Sequence, residues 1–392
     1  MSTVGQGPIT VTVKEAQEIS TATIRQNLMN AAAGYPVEMN DVLNFVSDPG
    51  MAKSALVKAA HATVAADEEF ISKMGKKIGE VWDVPCDPIL YWSVLTTATL
   101  EGTDLGGLPA PNWEEGIMER LRFQCFLPSA GMHVLFFDEV TKAGDEGVFN
   151  VLGQMVYNGK VGEFTLPPGV SYFLAGNHRK NRSGDKELPR FLTNRTCNLQ
   201  VELPLSEWLG WASMNGIHHL IISYFKSGGN SEFFSAFDAS HVSNPTARTW
   251  EKVSDKLNTG HLKGSLLRSV ISGYVGPAAG SSFITYLNIA DQLIPAADVF
   301  ADPKNAPIPD RPAAQWAMMS SLANAVNKKT ISALDTYIQR FEDELSNGRE
   351  IVVFALTLLL DRDRSDREKG SSVFFTEAGR KMIARYSELV IS

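Results

Sequence analysis

Two adjacent carboxylates at the end of an apolar run are the residues of this chain best placed to do chemistry. The run is His133-Val134-Leu135-Phe136-Phe137, and Asp138 and Glu139 follow it directly. This is how a buried parallel strand reads when it ends at a reactive edge. Ligands of open α/β sheets bind outside the carboxyl ends of the strands, so acids placed there can meet a substrate. The first acid can hold a divalent metal, and the second can polarise a water molecule. The pattern has the form of a Walker B strand.

A second reactive segment lies upstream: Asp48, Pro49, Gly50, Met51, Ala52, Lys53, Ser54 and Ala55. It follows the apolar run 42–46 and leads into the helix-like stretch 55–60. Strand, small-residue loop, Lys-Ser and helix together make a P-loop, whose backbone N–H groups cradle phosphates at a helix N-terminus. Lys53 would then reach the β and γ phosphates of ATP, and the Ser54 hydroxyl would ligate Mg²⁺. The motif G-x-x-x-x-G-K-[ST] is departed from twice, with Ser47 at the first glycine and Ala52 at the glycine before lysine. Alanine costs little there if φ is negative and strains the loop if φ must be positive. An ordinary strand-turn-helix with an exposed lysine would also read this way. The Asp138-Glu139 strand downstream is what favours the nucleotide reading.

The elements that must position these groups can be followed along the chain. Residues 14–33 favour a helix, stopped by Gly34 and Pro36. Residues 89–95 read as another buried strand. Glycines and prolines between 102 and 111 exclude a continuous helix. Residues 146–157 have helical spacing, and Asn158-Gly159 with 161–169 suggests a hairpin. Residues 170–175 form a further buried strand ending at Gly176-Asn177, and 199–203 a last one. Strands alternating with helices indicate a parallel α/β sheet. Past Pro204 the pattern becomes helical, with stretches expected at 206–226, 246–258, 264–275, 279–293, 313–326, 328–346, 349–362 and 375–389. The division expected is an arm at 1–13, an α/β core at 14–205 and a helical region at 206–392.

Composition narrows the class. The chain has 392 residues, 44% hydrophobic and 20% charged, which suits one large or two moderate cores. Its net charge of -8 gives no global basic character of the kind that advertises nucleic acid, although a local basic patch remains open. Cys86, Cys125 and Cys197 are scattered and form no CxxC pair, so reduced thiols in a cytoplasmic protein are expected and zinc is not. The first residues carry no apolar signal segment. The run 351–360 is far short of the ~20 residues that span a bilayer, so no membrane is expected. The mixed-sign cluster 361–369 reads as a solvated loop or helix end.

Taken in order, these motifs resemble an AAA+ ATPase, specifically the MoxR-like branch and its phage-encoded relatives. The match is carried by 48–54 (DPGMAKS), 104–109 (DLGGLP), 135–139 (LFFDE), 159–168 (GKVGEFTLPP) and 175–177 (AGN). It continues with 192–195 (LTNR), 207–217 (EWLGWASMNGI), 247–251 (ARTWE), 275–283 (VGPAAGSSF) and 305–312 (NAPIPDRP), so it covers nearly everything from residue 14 onward. Ala52 before the lysine also occurs in MoxR-like proteins. The resemblance implies an AAA+ P-loop core with a parallel sheet, followed by a largely helical lid and C-terminal region. It implies ATP and Mg²⁺ as ligands, with Lys53 on the phosphates, Ser54 and Asp138 on the metal, and Glu139 as the base that orients water. Asn177 resembles sensor 1, although Gly-Asn also favours a turn. Arg195 resembles the arginine finger that reaches a neighbouring subunit's γ-phosphate; Arg179 and Arg190 compete for that role. Arg248 resembles sensor 2, with a surface arginine as the alternative. The hairpin 159–168 and an insert within 101–131 would face the pore of a ring, where Trp113 and Phe123 could meet a substrate, with core packing as the alternative.

The function implied is a ring-shaped, most often hexameric, ATP-driven chaperone or remodelling motor, often paired with a von Willebrand A-domain protein. A nucleotide-bound scaffold or a nucleic-acid-linked motor with weak turnover is the alternative, and Arg179, Lys180 and Arg182 could supply a basic loop for it. A non-ATPase enzyme using Glu139 and His133 is a third reading.

Overall fold

The computed structural model describes residues 9–121, 131–161, 164–177, 186–228, 230–235, 237–238 and 240–390. The chain divides into two units, Met1–Pro204 and Leu205–Ser392. In chain order the first unit runs β1 (Ile9–Thr12), α1 (Val13–Ala32), β2 (Leu43–Ser47), α2 (Lys53–Ala65), α3 (Glu68–Trp82), β3 (Leu90–Thr96), α4 (Gly102–Gly106), β4 (Leu108–Asn112) and β5 (Ile117–Leu121). It continues with β6 (Met132–Asp138), α5 (Glu146–Asn158), β7 (Lys160–Val161), β8 (Phe164–Thr165), β9 (Val170–Asn177), α6 (Arg190–Thr193) and β10 (Cys197–Glu202).

The apolar runs form one six-stranded sheet in the order β1-β10-β2-β9-β6-β3, parallel throughout. Because side chains alternate across a strand, each run feeds two cores. Val134 and Phe136 of β6 pack with Phe45, Phe173 and residues of α1, α2 and α3 on one face. Leu135 and Phe137 pack with Tyr172, Leu174 and α5 on the other. This two-sided burial is why β6 and β9 read as unbroken apolar runs rather than alternating ones. The fold class is therefore an α/β P-loop-type core with a parallel sheet, followed by a helical region.

Several expectations need correction. Residues 9–12, expected in an arm, supply β1 at the sheet edge, paired with β10. The strand expected to be buried at 89–95 is the opposite edge, so Tyr91 and Val94 are exposed. Gly159 ends α5 in the left-handed region at φ 63, so it caps the helix while β7 and β8 form the hairpin beyond it. The glycine- and proline-rich stretch holds the β4–β5 hairpin. Helix α3 was not anticipated.

The second unit contains α7 (Leu205–Met214), α8 (His219–Lys226), α9 (Ala247–Thr259), α10 (Gly264–Val275), α11 (Pro277–Asp291), α12 (Ala296–Ala301), α13 (Pro312–Ala325), α14 (Ile331–Glu344), α15 (Gly348–Arg362), α16 (Arg364–Glu368) and α17 (Glu377–Val390). The single helix expected at 206–226 is two, separated where Gly216 takes φ 74. The buried Trp250 holds part of this core together, edge-on to Phe225 and Phe283. The mixed-sign cluster is only partly solvated. Asp363 is fully buried and accepts from the Ser372 hydroxyl and the Val373 amide, while Arg362 donates to carbonyls of Ala323, Asn324 and Val326 at the end of α13. Among the described residues no helix is long and apolar enough to cross a membrane.

His133 gives this fold a pH signature. It is 7% exposed, stacks on Tyr91 and shares a hydrogen bond between Nε2 and the Ser93 hydroxyl at 2.9 Å. Burial, aided by the nearby His61, pushes its pKa down from 6.5 to about 4. The unfolded chain therefore binds this proton more readily than the folded one. The stabilising contribution is complete above about pH 6.5 and is lost as pH falls towards 4. Urea-denaturation midpoints should fall across that window, and His133→Leu should flatten the fall.

Candidate functional site

The strand register brings the sequence-predicted site together at the carboxyl edge of the sheet. Ser47 at the end of β2 pairs with Asn177 at the end of β9, and β9 pairs on its other side with β6, which ends at Asp138. Lys53 opens α2 and is 9% exposed. Its ammonium donates to the Ser47 hydroxyl at 2.8 Å and to Asn177 Oδ1 at 2.9 Å, with the carbonyls of Ser47 and Asp48 at 3.5 and 3.4 Å. The Ser54 hydroxyl donates to Asp138 Oδ2 at 2.8 Å. Asp138 also accepts the Glu139 amide on its other oxygen at 2.9 Å, and its carbonyl accepts the Thr97 hydroxyl at 2.9 Å.

The loop 48–51 connects β2 to α2, and Ala55 sits in the first turn of the helix. The N-cap residue of α2, Ala52, makes no side-chain cap, and the first turn carries no acid. A helix start left uncapped by side chains presents amide N–H groups and the positive end of the dipole to an anion. Gly50 takes φ 84, as a tight phosphate loop allows. Ala52 takes φ 55 and ψ 19, so the position left conditional by the sequence lies in the left-handed region. That conformation costs ~1–2 kcal/mol for a residue with a Cβ.

Glu139 is also left-handed, at φ 57, and opens a short 3-10 turn, Val140–Lys142. Two residues of this turn were missed from sequence. The Thr141 hydroxyl accepts the Asn177 amide at 3.1 Å, and the Lys142 ammonium donates to Glu139 Oε1 at 2.9 Å. A Cβ added at Gly176 would meet Thr141 Cγ2 at 2.5 Å, so the glycine before Asn177 is required for this approach. Their position just beyond the two acids was the only sequence signal available. Thr97 carried none, because only the β3–β6 register sets it beside Asp138.

Other predicted residues lie elsewhere. Arg195 precedes β10, whose first residue Cys197 pairs with Leu43 at the start of β2, so it sits at the amino edge, opposite the P-loop. Its guanidinium donates to the Phe191 carbonyl at 2.9 Å and lies 4.6 Å from the Tyr157 ring centroid. Arg190 is exposed at the start of α6. Arg248 belongs to the second unit, exposed in the first turn of α9. Trp113, at the tip of the β4–β5 hairpin, is 87% exposed. Phe123, Cys125, Arg179, Lys180 and Arg182 lie outside the described residues. His133 and Glu139 stand six residues apart on β6 and just past it, about 20 Å at ~3.3 Å per residue, so they cannot form one catalytic pair.

The chemistry available is that of oxyanion binding beside a hard-metal site. An ammonium and a helix start suit phosphate oxygens, and a hydroxyl paired with a carboxylate suits Mg²⁺. Among the described residues no cluster of three or more His, Cys, Asp or Glu offers another metal site.

No family model matches the chain, and no curated protein matches it. Solved structures similar to it include PCH-2 from C. elegans, at 11% identity over 69% of this chain and 68% of that one, with a TM-score of 0.31. A RuvB mutant from Thermotoga maritima is similar at 11% identity over 83% of this chain and 87% of that one, with a TM-score of 0.32. Likeness at this level carries no functional argument, and the chemistry rests on the site residues themselves.

The strain at Ala52 is testable. Ala52→Gly removes ~1–2 kcal/mol of left-handed strain and costs back ~0.4–1 kcal/mol through the freer unfolded chain. A net gain of up to roughly 1.6 kcal/mol in urea-denaturation stability is expected.

Proposed function

We propose that this chain is a Mg²⁺-dependent ATPase of the AAA+ type, of the MoxR-like branch, working as a ring that remodels a protein substrate or partner. The observation that carries this is the meeting of Lys53, Ser47 and Asn177 within hydrogen-bond reach, beside the Ser54–Asp138 pair. In the reaction, Lys53 and the first-turn amides of α2 hold the β and γ phosphates. Ser54 and Asp138 would hold the metal, which would supply charge neutralisation to the phosphates. Glu139 orients a water in line with the γ-phosphorus and takes its proton as the bond to the β–γ bridging oxygen breaks. Asn177, released from Lys53, holds that water or a γ-oxygen. Little covalent work falls to the protein, so catalysis is positioning plus charge stabilisation.

Arg195 lies at the edge opposite its own P-loop, which supports a role in trans at the site of a neighbouring copy. A ring, most simply a hexamer, is then the working form, and Arg248 would report the nucleotide to the helical unit. The expected partner is a von Willebrand A-domain protein, and the exposed Trp113 is a candidate contact for a polypeptide. A nucleotide-bound scaffold or nucleic-acid-linked motor is the reading that takes over if turnover is absent while nucleotide binds.

Steady-state ATPase activity should rise with protein concentration. Lys53→Ala should abolish nucleotide binding. Glu139→Gln should bind nucleotide yet lose ~10²–10⁴-fold in rate, the usual worth of a general base. Arg195→Ala should lose ~10³-fold or more, as arginine fingers do, and should regain activity when mixed with Glu139→Gln subunits. Absent nucleotide binding in the wild type would end the P-loop reading.

A further inference from the structure

Glu139 keeps a left-handed backbone conformation, and Lys142 contacts it twice. The Lys142 amide donates to the Glu139 carbonyl at 2.8 Å, and the Lys142 ammonium donates to Oε1 at 2.9 Å. The Lys142 and Glu139 side chains are 29% and 37% exposed, so the pair is reachable by solvent. An ion pair this exposed adds little to stability. Its consequence falls on the carboxylate. An ammonium on Oε1 occupies a lone pair that would otherwise accept a proton, and it offsets the negative charge that polarises a water.

We propose that Lys142 is a positioning residue that restrains Glu139, so that full turnover requires the ammonium to release the carboxylate; this rests on the ATPase reading above. The turn that carries Lys142 is well placed to couple release to the rest of the site. Thr141, one residue before, holds the Asn177 amide, and its carbonyl accepts the Lys186 amide at 2.6 Å. A shift of residues 140–142 therefore moves the Glu139 restraint and the Asn177 backbone together. The events that could drive that shift are arrival of a γ-phosphate at Asn177 and a displacement of Lys186, whose amide is bonded to Thr141. The restraint would hold basal hydrolysis down until nucleotide and partner are both engaged.

The test is ATPase kinetics of the full chain with Lys142→Met, which keeps the stem and removes the charge, beside Lys142→Arg, which can keep the ion pair. Fluorescent-ATP binding and melting temperature are followed in parallel. Lys142→Met should raise basal kcat by up to about fivefold, the rate equivalent of an exposed pair, with KM and nucleotide affinity unchanged. Lys142→Arg should return the rate to the restrained level. In a Glu139→Gln background the Lys142→Met change should have no effect, because the restraint acts only through that carboxylate. A Lys142→Met protein that binds nucleotide and turns over at or below the wild-type rate overturns the restraint. Should Lys142→Met lose its fold, failure of Lys142→Arg to keep the basal rate overturns it instead. Wild type that binds ATP without hydrolysing it leaves a clear division: turnover appearing in Lys142→Met supports the restraint, and none overturns it. Failure of wild type to bind nucleotide overturns the ATPase reading itself, and is visible without any Lys142 variant.

Discussion

The ammonium of Lys53 is the group on which the rest of the site depends. A cation that is 9% exposed must be hydrogen-bonded, because a buried charge without partners is expensive. Its close side-chain acceptors, Ser47 Oγ and Asn177 Oδ1, end neighbouring strands that are directly in register. A one-residue slip between β2 and β9 would turn one of these side chains to the other face of the sheet and separate the pair. The lysine, the P-loop and the sheet register are therefore one constraint. Ser47 departs from the P-loop pattern, yet its hydroxyl contributes a polar partner at the point where a glycine would offer none.

Both loops at the carboxyl edge of the sheet carry backbone strain. Ala52 and Glu139 both adopt left-handed backbone conformations, one before the lysine and one at the second acid. Such conformations persist only where the surroundings over-determine them. At residue 52 the surroundings are β2 and α2, which fix both ends of a short loop. At residue 139 they are the carboxyl end of β6 and the 3-10 turn, tied by Thr141 to β9 and by Lys142 to Glu139 itself. Asp83 is a different case, since its left-handed backbone ends α3 and lies away from either loop.

Arg195 shows how strand register can put a side chain out of reach of its own chain's P-loop. The register of β10 with β2 puts it at the amino edge of the sheet, while Lys53, Ser47 and Asn177 gather at the carboxyl edge. No side-chain rotation crosses the length of a strand. Its contact with the Tyr157 ring orders an otherwise exposed guanidinium, as the proposed role in trans would need.

Much of this was legible in the sequence, and for a physical reason. Residues 42–46, 133–137 and 170–175 read as strands because burial on both faces makes them apolar throughout, and that pattern is local. The meeting of Lys53, Ser54 and Asp138 at one sheet edge was legible because the motifs put particular residue types at short spacing just past apolar runs. The capping box of Thr12 and Glu15 starts α1 from four adjacent residues. What stayed hidden were properties set by partners distant in the chain. Whether 90–96 is a central or an edge strand, whether Ala52 has positive φ, and that Thr97, Thr141 and Lys142 touch the acids and Asn177 all follow from which strands lie side by side and in what register. Local patterning determined the elements and the chemistry they carry; strand pairing between segments more than a hundred residues apart, such as 43–47 with 173–177, decided which groups meet.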